Sequence, residues 1–141
     1  MLYNIENINH LKIVRDITKK YKIDLRTRLL YFAVNAIQFL KTIPNNIEYD
    51  VIRYQFSKSA TAIGANYEET QSTSIKEFLQ KIKISLREAN ESKYWLKIIE
   101  SLKIGDLAKL KSLSDEVTEI SLILGSIASK VDKKIKSEGI K

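Results

Sequence analysis

Apolar residues recur at three- and four-residue steps along most of the chain, which is the period of an amphipathic α-helix. The pattern is clearest in four stretches separated by short polar joints, and it predicts helices at about residues 23–42, 47–71, 75–103 and 107–136. Joints of a few residues make consecutive helices antiparallel. We therefore expect an all-α fold, an antiparallel up-down-up-down four-helix bundle with a short N-terminal arm.

The predicted helix ends carry recognisable start and stop signals. Ser74 and Glu77 form an S-x-x-E capping box at the start of the third helix, and Asn46 and Asp106 are candidate N-caps of the second and fourth helices. Gly105 lies where a left-handed C-cap would end the third helix. These signals fix the joints of the predicted bundle.

The first twenty residues have apolar residues at helical spacing, but the stretch is short and polar between them. It predicts a marginal helix or a packing arm. We divide the chain into an N-terminal arm or short helix at 1–21, a four-helix bundle at 22–136 and a flexible tail at 137–141.

Composition indicates one soluble globular domain, because 141 residues with 44% hydrophobic and 29% charged positions suffice for a continuous core. Cysteine is absent, so the sequence gives no sign of an oxidising compartment. The N-terminus lacks the pattern of a secretion signal, and no run approaches the roughly 18 apolar residues that a membrane span needs. We expect a cytoplasmic protein with no membrane association.

Two predicted helices show unusual apolar or small-residue surfaces. In the first, Tyr31, Val34 and Ile37 widen the stripe expected to be buried. In the second, a run of small residues around Gly64 predicts close approach of a neighbouring backbone, because Gly inside a helix costs about 1 kcal/mol relative to Ala. Asn66 should point close to the core, where a buried amide would need hydrogen-bond partners and could fix helix register. The alternative is that Asn66 is an exposed surface residue.

The third predicted helix is apolar over so wide an arc that we expect it to be buried on two sides. In a bundle of this size the second side commonly meets another subunit. Trp95, Ile98 and Leu102 are therefore the candidate subunit interface. Tyr94 and Trp95 leave base stacking open as an alternative.

Catalytic sets are mostly excluded by counting. His10 is the only histidine, so a Ser-His-Asp triad, a multi-histidine zinc site or the Glu-x-x-His pairs of a di-iron bundle cannot be assembled. Glu68 and Glu69 are adjacent and point about 100° apart on a helix, which excludes a shared-proton dyad. We expect Glu69 to contact a neighbouring helix and Glu68 to be solvated. No enzyme activity, cofactor or metal is predicted.

The formal charge of +7 leaves two interpretations open, a solvated surface or a phosphate-binding one. Basic residues are mostly interleaved with acidic ones. The candidates for nucleic-acid contact are a cluster near the C-terminus and two weaker positions in the first predicted helix: Lys130, Lys133, Lys134, Lys136, Arg26 and Arg28.

The strings SATAIGANYEET (59–70) and EFLQKIKISLREANESKYWLKII (77–99) resemble the bacterial four-helix-bundle proteins encoded by intervening sequences in 23S rRNA genes. The resemblance covers residues 24–128, and the chain has Thr70 where the family usually has Gly. It is most specific at a set of structural positions: Ser59, Ala60, Ile63, Ala65, Asn66 and Glu69.

The resemblance implies a small cytoplasmic bundle that assembles into a ring-shaped homopentamer without known catalytic activity. The accessory protein of diversity-generating retroelements is similar to the same bundle, and it binds a reverse transcriptase and nucleic acid. The leading hypothesis is a non-enzymatic homo-oligomeric assembly module with a basic surface for RNA. The alternative is a nucleic-acid-binding accessory protein, for RNA or DNA, that partners a reverse transcriptase or another nucleic-acid enzyme.

Overall fold

A computed structural model describes residues 5–21, 23–72 and 74–140 of the chain. These residues form helices and no strand, so the predicted all-α class is confirmed. The helices are α1 (Ile5–Thr18), α2 (Leu25–Leu40), α3 (Ile47–Glu68), α4 (Ile75–Leu102) and α5 (Leu107–Ser137), with a single 3₁₀ turn at Glu69–Ser72 after α3.

The described residues contain five helices, whereas the sequence predicts four and an N-terminal arm or short helix. The additional helix is α1, which packs against α5 and α4. Val14 is buried in the shared core, and Ile13 and Ile17 are half-buried against it. A 14-residue helix is marginal on its own propensity, so this packing stabilises α1.

The other four helices pack as a closed circuit, in which α2 contacts α3 and α5 while α4 contacts α3 and α5. Polar contacts show that α3 and α4 run antiparallel. Ser59 of α3 lies beside Ser92 of α4, and further along α3 the carbonyl of Ile63 accepts a hydrogen bond from Ser85. Residue numbers therefore rise along one helix as they fall along the other.

One hydrophobic core runs the length of this circuit, and every helix contributes to it. Its largest fully buried side chains come mainly from the predicted apolar stripes. They are Phe32, Phe39, Phe56, Leu25, Leu29, Ile63, Ile75, Ile82, Leu96, Ile99, Ile120 and Leu124.

The start signals read from the sequence differ in how they act. Ser74 Oγ accepts the backbone N–H of Glu77 at 3.3 Å, and Asp106 accepts the N–H of Lys109 at 2.9 Å, so both predicted caps are confirmed. Asn46 occupies the N-cap position of α3, but its side chain makes no capping hydrogen bond.

The joint between α4 and α5 contains two left-handed residues. Lys103 has φ 56° and closes α4, and Gly105 follows with φ 81°. A Cβ atom on Gly105 would lie 2.9 Å from the ring of Phe39, so the joint passes directly against α2. Within the described ranges, no helix has the length and hydropathy to cross a membrane.

Candidate assembly and nucleic-acid surfaces

A groove runs between α2 and α3 on the outside of the protein. A Cβ atom built on Gly64 would lie 3.4 Å from Cβ of Leu29, and the Leu29 backbone lies at 3.7 Å. The close backbone approach predicted from the small residues of this helix is thereby confirmed. Ala33 and Ala65, whose side chains are small, line the groove beside this contact. The groove has a volume of about 560 Å³.

Large exposed apolar side chains lie at this groove and at a second recess that the same two helices form. Leu30 lines the groove, Ile37 and Tyr54 line the second recess, and Val34 lies between Leu30 and Ile37 on the same edge of α2. Leu30 is 59% exposed, Val34 48% and Ile37 41% on α2, and Tyr54 is 62% exposed on α3. We call these four residues the groove face. The expectation that Val34 and Ile37 widen the buried stripe is wrong, as it is for the 53% exposed Tyr31, because the contacts of α2 with α3 and α5 leave these positions outside the core.

The predicted subunit-contact residues lie on the outer edge of α4, and we call Trp95, Ile98 and Leu102 the α4 ridge. Trp95 and Ile98 are half-buried against the core, and Leu102 is 46% exposed. The indole N–H of Trp95 donates to a Glu91 carboxylate oxygen at 3.3 Å, and Tyr94 meets the indole edge-on at 5.7 Å between ring centroids.

The carboxyl groups beside the ridge lie close to one another. Glu88 is partly buried, and this burial raises its pKa, with the neighbouring Glu91 carboxylate raising it further. Lys58 of α3 opposes the shift. The edge of α4 thus combines apolar side chains with two neighbouring carboxyl groups, which lie near the cations Lys58 and Arg87.

Two of the residues that carry the family resemblance, Ser59 and Ile63, lie at the contact between α3 and α4. Ser59, Ala60 and Ile63 are buried, and the Ser59 and Ser92 hydroxyls lie 2.8 Å apart. Asn66 is half-buried, and its amide donates to the carbonyl of Ala62 at 2.8 Å in its own helix. The hydrogen bond of Asn66 therefore stays within α3 and does not fix the register between two helices.

Two further positions of the motif shape the joint between α3 and α4. Glu69 forms an ion pair of 2.5 Å with Lys81 of α4, the kind of contact with a neighbouring helix that the sequence suggested. Thr70 is buried in the 3₁₀ turn, where its hydroxyl donates to the carbonyl of Tyr67 at 2.6 Å. Thr70 thus stabilises a helical turn at the position where the family usually has Gly.

Arg28 lies inside the protein rather than on a phosphate-binding surface. Its guanidinium donates to both carboxylate oxygens of Glu116 and contacts Glu119 at 3.0 Å, and it lies 4.5 Å from the centre of the Tyr21 ring. The hydrogen bonds that Arg28 donates to Glu116 raise the pKa of Arg28 above its already high usual value. These contacts join α2 to α5 and to the segment after α1. The positive charge of Arg28 is therefore paired with carboxylates of the same chain.

The remaining basic candidates are accessible to different degrees. Arg26 is exposed but pairs with Glu68 at 2.5 Å. Near the end of α5, Lys130 and Lys133 are exposed, Lys134 is half-buried, and Lys136 forms an ion pair with Asp132 at 3.0 Å. The cluster therefore lies at one end of the protein, opposite the end that carries the α4 ridge.

The described part of the chain offers no group of three or more acidic or histidine side chains arranged for a metal ion. The described residues form an all-α protein, and its notable features are the exposed apolar side chains and the basic end of α5. The chain belongs to the 23S rRNA-intervening sequence protein family, whose model matches residues 22–126.

Among solved structures, the chain is similar to a protein with unknown function from the S23 ribosomal protein family of Bacteroides thetaiotaomicron VPI-5482. The two are 35% identical, with a TM-score of 0.65, over 73% of this chain and 96% of the other. A comparison with curated proteins gave no match.

Two features of the structure were not singled out by the sequence. The groove face was missed because its apolar residues are indistinguishable in pattern from a wide buried stripe. The Arg28 cluster was missed because its partner Glu116 lies 88 positions away, and no local signal connects them. The small residues around Gly64 were the one local sign that α2 and α3 approach closely.

Proposed function

We propose that this protein is a non-enzymatic assembly module in which copies of the chain associate through apolar surface, forming a ring of five. In this proposal α2 to α5 form the up-down-up-down four-helix bundle and α1 is an additional helix packed outside it. The proposal places the protein in the cytoplasm, where a chain without cysteine needs no oxidising environment.

The observation that carries the proposal is the concentration of exposed apolar side chains on α2, α3 and α4. Ile47 and Val51 are further exposed apolar side chains near the start of α3, with 82% and 55% of their surface exposed. Contiguous apolar patches of this kind mark interaction sites in soluble proteins, since leaving them in water is unfavourable. A second copy of the chain is the partner that is always available.

The number five comes from the family resemblance and not from the shape of one copy. Light scattering on the purified chain, followed over micromolar concentrations, tests both parts. The expected result is a mass of five times the 16.3 kDa chain. A different multiple would retain assembly and remove the pentamer, and the mass of a single chain would remove the proposal.

A second candidate function is a nucleic-acid-binding accessory protein that partners a reverse transcriptase or another nucleic-acid enzyme. The basic end of α5 favours it. Lys130 and Lys133 have no ion-pair partner among the described side chains, and Lys83 of α4 lies near enough to Asp132 to lower the pKa of that carboxyl. Two helices therefore present cations at the same end.

Gel shifts with structured RNA and with duplex DNA across a salt series test this function. Each phosphate neutralised contributes a log–log slope of about −0.9 on duplex DNA, so binding should weaken steeply with salt. Lys130→Gln/Lys133→Gln should reduce both affinity and slope. Lys109→Gln/Lys111→Gln, on exposed residues at the other end of the same helix, is the matched control. Equal losses in the two variants would exclude the basic end as the binding surface.

A further inference from the structure

The α2–α3 surface carries recesses, and the α4 ridge is a row of apolar side chains at the surface of α4. The groove between α2 and α3 is concave, and a second recess continues along the same two helices beside Ile37 and Tyr54. The ridge residues Trp95, Ile98 and Leu102 follow one another at steps of three and four, so they form one edge of a helix. Apolar residues at this spacing are the anchors with which a helix docks in an apolar groove.

The two surfaces also match in length and charge. Glu91 precedes Leu102 by eleven positions on α4, and Leu30 precedes Lys41 by eleven positions on α2, so both spans are about 16 Å. Lys41 is exposed at the end of the groove and has no ion-pair partner among the residues described. A helix lying antiparallel to α2 would bring Glu91 to Lys41 while Leu102 reached Leu30.

We propose that the α4 ridge of one copy docks in the α2–α3 groove of the next copy, antiparallel to α2, with Glu91 paired to Lys41. This inference rests on the self-assembly proposed above and specifies its contact. The two surfaces are different parts of the chain, so the contact is head-to-tail. Repetition of such a contact generates a closed ring or an open filament, whereas a self-complementary patch stops at a dimer.

Complementation between two defective variants tests the head-to-tail arrangement. Leu30→Glu/Val34→Glu places charge on the groove, and Leu102→Glu places charge on the ridge; the changed side chains are all substantially exposed, so the fold should persist. Each variant alone should sediment as one chain. A mixture should form a dimer containing one copy of each, because one intact ridge and one intact groove remain available.

Leu122→Glu is the control, since Leu122 is 70% exposed on α5, beside α1. It should assemble like the unmodified protein. A charge exchange gives a second measurement: Lys41→Glu and Glu91→Lys should each weaken assembly at least tenfold, and their combination should restore part of the loss.

The outcomes separate this inference from the proposal beneath it. If the unmodified chain is monomeric, self-assembly itself is wrong. If the unmodified chain assembles and the groove and ridge variants also assemble, the two surfaces are wrong. If both variants are monomeric and their mixture stays monomeric, the surfaces are not each other's partners and the head-to-tail contact is overturned.

Discussion

The hydroxyl groups of Ser59 on α3 and Ser92 on α4 lie 2.8 Å apart in the buried contact between the two helices. The Ser59 hydroxyl also donates a hydrogen bond to the carbonyl oxygen of Phe56 at 3.2 Å. Short side chains let the helix axes approach, and the mutual hydrogen bond satisfies polar atoms that burial would otherwise penalise. This pair therefore explains why Ser59, a position of the family resemblance, and its neighbour Ser92 are polar in an apolar interface.

The effects of removing the two hydroxyls on the free energy of unfolding should not be additive. Ser92→Ala leaves the Ser59 hydroxyl with one partner in the core, and we expect a loss of about 1 kcal/mol in the free energy of unfolding. Ser59→Ala/Ser92→Ala should cost less than the sum of the single changes, because each single change already removes the hydrogen bond between the two hydroxyls. Urea unfolding measures both. Ser101→Ala, on an exposed residue of α4, should change stability by less than about 0.5 kcal/mol.

Substitutions at Gly64 and Gly125 should separate helix propensity from packing. Both are helical, and Ala is favoured over Gly by up to about 1 kcal/mol in a helix. Nothing lies within 4 Å of a Cβ atom on Gly125, so Gly125→Ala should stabilise the protein by nearly that amount. A Cβ on Gly64 would reach ordinary contact with Leu29 at 3.4 Å, so Gly64→Ala should be close to neutral.

A longer side chain at Gly64 adds atoms next to the Leu29 backbone, which lies 3.7 Å from the Cβ position. Gly64→Leu would have to push α2 and α3 apart, and we expect a loss of about 1–3 kcal/mol, typical of overpacking. Thermal or urea unfolding of all three variants provides the comparison. A Gly64→Leu protein as stable as the unmodified chain would show that α2 and α3 are not in close contact.

Gly105 and Gly139 provide a second matched pair, because both have positive φ, 81° and 63°. Gly139→Ala meets no atom within 4 Å and should cost about 1 kcal/mol, the penalty of a left-handed residue with a side chain. Gly105→Ala adds a collision with Phe39 at 2.9 Å and should cost about 2–3 kcal/mol. Equal losses by urea unfolding would mean that the α4–α5 joint does not press on α2.

Local signals predicted the elements of this fold well. Ser74 and Asp106 cap the helices that they were expected to cap, since a cap depends on residues three positions apart and is therefore visible in sequence. Periodicity likewise predicted the buried positions of α3, such as Phe56 and Ile63. Helix periods and short-range hydrogen bonds are the interactions that the order of residues specifies directly.

The candidate surfaces were predictable only in part, for a physical reason. An apolar residue facing the core and one facing a groove obey the same helical period, so Val34 and Ile37 gave no sign of their exposure. Arg28 looked like a surface cation until Glu116 and Glu119 of a distant helix were placed beside it. Which partner covers a side chain is decided by tertiary packing, and a single sequence does not contain that information locally.

The cluster around Arg28 should make stability depend on pH through Glu119. The Tyr21 hydroxyl and the Arg28 guanidinium donate to the Glu119 carboxylate and hold its pKa below the usual value of about 4.3. A carboxyl whose pKa is lowered by folding stabilises the protein above its unfolded pKa and loses that contribution as pH falls through its folded pKa. The stabilisation should therefore be complete at neutral pH and disappear in the acid range below about pH 4.

Glu119→Gln isolates this contribution, because the amide cannot ionise. We expect the variant to be less stable than the unmodified chain at pH 7 and at pH 5, and the difference in unfolding free energy to shrink steadily toward pH 3. Urea unfolding at each pH gives the difference directly. Glu100→Gln, on an exposed residue of α4, is the control and should show a smaller difference at neutral pH. A Glu119→Gln difference that stays constant down to pH 3 would show that Glu119 does not ionise in contact with Tyr21 and Arg28.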